Sequence, residues 1–206
     1  MSLISSFDVL TALPPVVPEV PIRRLSVAEY HQMLRAGILT EDDAVELLEG
    51  WLVPKMTKHP PHRAATRLTR VALEKIVPAA WYVDSQEPVT TDDSEPEPDV
   101  SVIRGQTRDY LARHPGPTDI GLVVEVADES LARDRGVKKR LYARARVPRY
   151  WIVNLIDRQV EVYSDPTGAA DEPDFRDCRV YREGDEVPVV LDGMEVGRIA
   201  VRELLP

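Results

Sequence analysis

One cysteine, Cys178, stands among 206 residues, which excludes an intramolecular disulfide and fits a reducing compartment. No histidine or lysine neighbours it in sequence, so it reads as a strand filler rather than a reactive thiol. No run approaches the ~18 apolar residues needed to span a bilayer. The first residues lack the basic start and apolar core of a secretory signal. A cytoplasmic protein without membrane contact is therefore expected. Basic charge is also short overall: 26 Lys and Arg against 35 Asp and Glu give a net −9, which weighs against a chain that coats nucleic acid with its whole surface.

The charge is unevenly spread. Residues 133–149 carry eight bases and only Asp134, whereas residues 84–99 carry seven acids and no base. Each run also has a plain reading, as a solvated helix face or a soluble loop. At 43% hydrophobic, the length suits one ordinary domain with its own core. A proline-rich arm over 1–24 followed by a single domain over 25–206 is expected.

Ser26 with Glu29 forms a capping box for a short helix to about Arg35, ended by Gly37. Thr40 and the acids after it are expected to cap a second helix carrying Val45, Glu46, Leu47 and Leu48. WLVPKM then reads as a first strand. Pro60 and Pro61 start a helix stopped by Pro78, with Ala65, Leu68, Ala72 and Ile76 as its apolar stripe and Arg63, Arg67 and Arg70 on another side. Strands are expected at WYVDS, EPVTT, PDVSVI and IGLVVEVA, the last buried on both faces. A helix over about 136–147 leads to a hairpin of RYWIVN and QVEVYS. RDCRVY and VPVV form another hairpin, and VRELL a terminal helix. Trp51, Trp81 and Trp151 are expected in the core. The fold class is α/β or α+β, a mixed sheet flanked by helices with extra C-terminal hairpins.

The acids that matter are Asp99, just after Pro98, and Glu125, inside VVEVA. Burying a glutamate among valines is costly unless it is paired or binds a metal. A salt bridge to one of the many arginines is the plain alternative. With Asp99 on a nearby strand and Lys138 on the following helix, the set suits phosphodiester hydrolysis. Two carboxylates hold a hard divalent cation, and an ammonium steadies a water or the transition-state charge.

The stretches VELLEGWLV, EPEPDVSVI, LVVEVADES, DRGVKKRLYARARVPRYWIVN and QVEVY, in this order over residues 26–163, resemble the Uma-two family of restriction endonucleases within the PD-(D/E)XK nuclease superfamily. The resemblance implies a restriction endonuclease-like fold and Mg²⁺ (or Mn²⁺) as cofactor. It implies Asp99 and Glu125 as metal-binding acids, helped by the Val126 carbonyl. Ala127 stands where the standard motif has its lysine, so Lys138 takes that role, with Lys139 as the fallback. About 100° separates consecutive residues on a helix, so only one of these lysines faces the metal. Glu46 matches the acid supplied by an early helix, and His62 a histidine that touches the scissile phosphate. Gln86, one strand before Asp99, is a further candidate to face the site. Asp134 is expected to cap the basic helix and orient Lys138 or Arg135. Tyr142, four residues after Lys138, shares its helix face and reads as packing. The link after Glu125, ADES, departs from the serine-proline pair frequent in the family: Ser130 is kept, and an added acid, Asp128 or Glu129, is expected near the metal.

The expected activity is a metal-dependent DNA endonuclease of restriction type, with Arg63, Arg67, Arg70, Arg135 and the rest of the basic stretch contacting phosphates. Cutting both strands of a duplex is most simply done by a homodimer. The alternatives are an inactive nucleic-acid- or protein-binding module of the same fold, or a metal-dependent RNase.

Overall fold

A computed structural model describes residues 22–206. The expected proline-rich arm lies, but for its last three residues, outside the described residues. Six strands form one sheet in the order β3-β4-β5-β6-β7-β8. They are β3 (Trp81–Asp84), β4 (Val100–Arg104), β5 (Ile120–Ala127), β6 (Arg149–Asn154), β7 (Gln159–Pro166) and β8 (Phe175–Arg182). Only β5 and β6 run parallel, joined by a helical crossover, and the other pairs are antiparallel. Alternation along β5 divides the core. Leu122, Val124 and Val126 pack with Ala65, Ala72 and Leu73 of α2 (Pro60–Glu74) and with Val187, Val189 and Ile199 of a hairpin. Val123 and Ala127 face the other way, onto Leu141, Tyr142 and Ala143. Glu125 shares that second parity, so it points at the crossover helix and interrupts an apolar face.

That crossover, α3, spans 131–144 and is not a uniform helix. It is α over Leu131–Arg133, π over Asp134–Lys138 and α again over Lys139–Arg144. It starts earlier than the sequence pattern suggests, so Lys138 and Lys139 lie mid-helix rather than in a first turn.

The first helix, α1 (Val27–Arg35), has its capping box. The second expected helix is absent. Only a 3₁₀ turn, Glu41–Asp43, forms, and β1 (Val45–Leu48) then pairs with β2 (Trp51–Pro54). Glu49 and Gly50 make the connecting turn with φ of 51° and 79°, the left-handed pair that a two-residue hairpin requires. All four residues of β1 are buried, Glu46 included, so Val45, Leu47 and Leu48 belong to a doubly covered strand rather than a helix stripe.

EPVTT does not form a strand; among its neighbours only Glu95 bridges, to Leu47. RDCRVY lies in β8, but it extends the main sheet beside β7, while β9 (Glu186–Leu191) pairs with β10 (Met194–Ala200). Hairpin partners follow from which edge is free, which local pattern does not reveal. The terminal helix is one 3₁₀ turn, Val201–Glu203. Leu68 is 38% exposed and the α2 stripe instead uses His62, Thr66, Thr69 and Leu73. Trp51 is 39% exposed beneath Arg24, unlike Trp81 and Trp151. Cys178 is on a strand as expected, but exposed.

Candidate active site

The antiparallel ladder pairs Val100 with Val124. One more step along that register sets Asp99 opposite Glu125. Side chains so placed are about 4.5–5.5 Å apart at Cβ. Asp99 is anchored there: its Oδ2 accepts the Val126 amide at 2.9 Å, and the Ser85 hydroxyl donates to its carbonyl at 2.8 Å. The β1 strand brings Glu46 alongside. Glu46 Oε2 accepts the Glu97 amide at 3.2 Å, and the neighbouring Glu95 amide donates to the Leu47 carbonyl at 2.7 Å. The acidic segment before β4 is therefore laced to β1.

From α3, Lys138 enters this group. Its Nζ is 2.9 Å from Glu125 Oε1 and 3.6 Å from Glu46 Oε2. The Tyr142 hydroxyl donates to the same Glu125 oxygen at 2.8 Å. Asp134, one turn before, accepts from Ser130 Oγ at 2.6 Å. His62, in the first turn of α2, has Nε2 3.2 Å from Asp99 Oδ2. Glu46, Asp99, Glu125, Asp134, Lys138 and His62 are all buried yet line one concavity.

Burial pushes the Glu125 carboxyl up to about 8; the Lys138 ammonium opposes this, and the charges of Asp134, Asp99 and Glu46 add to it. Burial works against the Lys138 ammonium, but Glu125, Glu46 and Asp134 outweigh it and hold its pKa above the ordinary lysine value. Asp134 is raised to about 6, chiefly by desolvation. Burial alone would lower His62; contact with Asp99 and its charge overcome that and raise it. The site thus sets four buried carboxylates, Glu46, Asp99, Glu125 and Asp134, against the Lys138 ammonium, the Arg133 guanidinium 3.6 Å from Glu46, and His62.

A hard cation fits this donor set, which is carboxylate oxygen. Among the described residues no three Asp, Glu, His or Cys side chains already converge as a preformed metal cage. The fit is to an ion held by one or two carboxylates that keeps much of its own water, the habit of Mg²⁺.

A family model described as "Uma2: Putative restriction endonuclease" matches residues 27–201. This chain belongs to the Uma2 family. Its fold is similar to that of a crystal structure from Anabaena variabilis titled as a putative nuclease belonging to DUF820. The TM-score is 0.65 at 16% identity, covering 87% of this chain and 97% of that one. This identifies the fold as restriction endonuclease-like. No curated protein matches this Uma2 chain.

The structure brings Asp99, Glu125, Glu46, Lys138 and His62 together, with the Val126 amide bound to Asp99. Glu46 arrives on a strand, not on the expected early helix. Lys139 turns away, to Asp174 at 2.8 Å. Gln86 is exposed, in a left-handed conformation after β3, and does not line the site. Arg135 points to Glu161 on β7. Of the added acids, Asp128 lines the concavity and Glu129 sits outside near His59, at 3.7 Å. Tyr142 does more than pack, as its hydroxyl is on Glu125. The i,i+4 spacing to Lys138 was the only sequence signal for that.

The basic stretch is largely spent inside the fold. Among the described residues, six of its eight cations, all but Arg146 and Arg149, have a carboxylate within salt-bridge distance. Arg140 and Arg144, for example, clasp Glu49 at 2.6 and 3.1 Å. Arg70 is engaged by Glu74. Among the described residues, cations with no carboxylate partner lie instead on the outer face of α2. Lys58, Arg63 and Arg67 are exposed around a second concavity, and Lys58 also lines the acidic one.

Proposed function

We propose that this chain is a metal-dependent endonuclease that hydrolyses DNA phosphodiester bonds, with Mg²⁺ or Mn²⁺ as its cofactor. The observation that carries the reading is the convergence of Glu46, Asp99, Glu125 and Lys138, from four separate elements, in one buried but open concavity. A structural core has little use for so many buried carboxylates gathered in one place. Family membership makes nucleic acid the substrate class.

Asp99 and Glu125 would hold the cation, with Glu46 and the Val126 carbonyl as further donors. When bound, the cation supplies Lewis acidity toward a phosphoryl oxygen and offsets the buried carboxylates. Lys138 keeps its proton and is placed to donate to an attacking water or to charge developing on phosphorus. Asp99 keeps His62 as a charged or donating imidazole at the rim, facing a phosphate. Lys58, which lines the acidic concavity, and Arg63 and Arg67, around the second one that Lys58 shares, would carry the duplex backbone toward it. A symmetric homodimer would place two such sites on opposite strands.

Nicking of supercoiled plasmid with Mg²⁺ or Mn²⁺, and with EDTA, tests the reading. Wild type is expected to nick only with metal, and Glu125→Ala and Lys138→Ala to be inactive. Absence of nicking by wild type, or equal nicking by the variants, overturns it. An RNA competitor in the same assay separates a DNase from an RNase.

A further inference from the structure

The lysine of the site sits on an irregular helix, and something must fix that irregularity. In the π turn the Lys139 amide reaches back five residues to the Asp134 carbonyl. The same carbonyl accepts the hydroxyl of Tyr150 on β6, at 3.1 Å. Asp134, Lys138 and Tyr142 all face inward toward β5, at 2%, 6% and 0% exposure. A plain α-helix drifts about 40° over each step of four residues. The wider π ring counters that drift and keeps the three side chains in one row.

Arg135 fixes the turn from the other side. Its Nε and Nη2 donate to Glu161 Oε2 and Oε1 at 3.0 and 2.5 Å. Glu161 is 3% exposed on β7, and it is itself held by Asn154 Nδ2 at 2.9 Å and the Tyr163 hydroxyl at 2.8 Å. A fork-to-fork arginine–carboxylate pair constrains angle as well as distance. No part of this network enters the acidic concavity.

We propose that Glu161 is a positioning residue: through Arg135 it clamps the π turn to β7 and thereby sets Lys138 against Glu125. Its consequence for catalysis rests on the nuclease reading; the clamp does not. Displacement of Lys138 by about an ångström is enough to cost on the order of 10- to 100-fold in rate.

Two measurements on the full chain test it. The first needs no activity. In metal-free protein, Glu161→Ala is expected to speed amide hydrogen exchange over residues 134–139 and reductive methylation of Lys138, with β5 exchange unchanged. Glu161→Gln, which keeps the side-chain volume and one acceptor oxygen, guards against a folding failure and should show a smaller change in the same places. Unchanged exchange and labelling in both variants overturns the clamp. The second measurement is plasmid nicking. Glu161→Ala should lower kcat by about 10- to 100-fold with KM within about twofold. Glu161→Gln should lose less than Glu161→Ala, in step with its smaller change in exchange. A loss confined to KM, or an equal loss of kcat in the two variants, would show that Glu161 acts elsewhere and overturn its positioning role. If wild type nicks nothing while the exchange arm succeeds, the nuclease reading fails and the clamp stands.

Discussion

Lys138 and Glu125 meet at 2.9 Å across the gap between helix α3 and strand β5, thirteen residues apart in sequence. The pair is buried, with Glu46 as a second carboxylate on the same ammonium. Pairs of this kind do not simply stabilise, because two ions must be desolvated to form them. Here desolvation dominates at the carboxyl, whose pKa is pushed up to about 8.

It follows that Glu125→Gln removes a function more than a fold. The amide oxygen still accepts from Tyr142, and Lys138 keeps Glu46. Thermal stability should stay within about 1 kcal/mol of wild type or rise, since a buried ionisable group is replaced by a neutral one. Metal-dependent nicking should fall about 100-fold or more. A melting curve and a plasmid assay on one preparation check both. A large loss of stability with nicking retained would contradict this assignment.

Glu161 makes the opposite prediction for pH. Burial would raise its carboxyl, but hydrogen bonds from Arg135, Asn154 and Tyr163 overcome that and hold it down to about 2, against an ordinary 4.5. A lowered folded pKa means that its contribution is complete above about pH 4.5 and is lost as pH falls toward 2. The shift corresponds to about 3 kcal/mol, and to about 2 once screening of the 42% exposed Arg135 is allowed for. Urea midpoints measured from pH 6 down to 2 should show this acid limb in wild type. Glu161→Gln should be less stable at pH 6 and flatter below 4.5. An unchanged limb would show that other carboxylates account for it.

The contrast between these two glutamates shows what could be read from sequence. Glu125 was visible because valines on both sides make a charge there expensive, and Asp99 and Lys138 followed from it. Glu161 also sits between valines, but it reads as one polar position in an alternating strand. Its partner is 26 residues away, on a π turn that no residue periodicity announces. Glu46 was found by resemblance but placed on the wrong element. Thr40 and three acids look like a helix cap, and that signal outweighed the hairpin turn at Glu49-Gly50. The basic run looked like a DNA surface because sequence shows charges without their partners, and Glu49, Asp93 and Asp174 were too distant in the chain to be counted against it.

The exposed cations on α2 give a salt-dependence test. Arg63→Gln with Arg67→Gln should reduce the slope of log binding constant against log salt by about 2 for a fluorescent duplex, with melting temperature unchanged. Arg140→Gln, already clasped by Glu49, should leave the slope alone and lower stability. A slope carried by Arg140 rather than by the α2 pair would move the DNA to the other side of the sheet.

The hairpin that delivers Glu46 depends on Gly50. Its φ is +79°, and a Cβ there would lie 2.6 Å from Arg24 Cβ and 2.9 Å from the Leu25 carbonyl oxygen. Strain and clash act together, and the oxygen belongs to backbone that cannot turn aside. The Leu25 amide also donates to the Gly50 carbonyl at 2.9 Å, so the two segments are tied at the point of collision. Gly50→Ala should cost about 2–4 kcal/mol. Gly37→Ala is the control: φ is +67°, but nothing lies within 4 Å of the added methyl, so only the conformational cost of about 1 kcal/mol applies. Chemical denaturation of both variants measures the difference. If β1 positions Glu46 in the site, Gly50→Ala should also lose nicking at temperatures where it remains folded, whereas Gly37→Ala should keep it. Equal destabilisation of the two would mean that the Leu25 segment yields, and that the hairpin is not pinned from above.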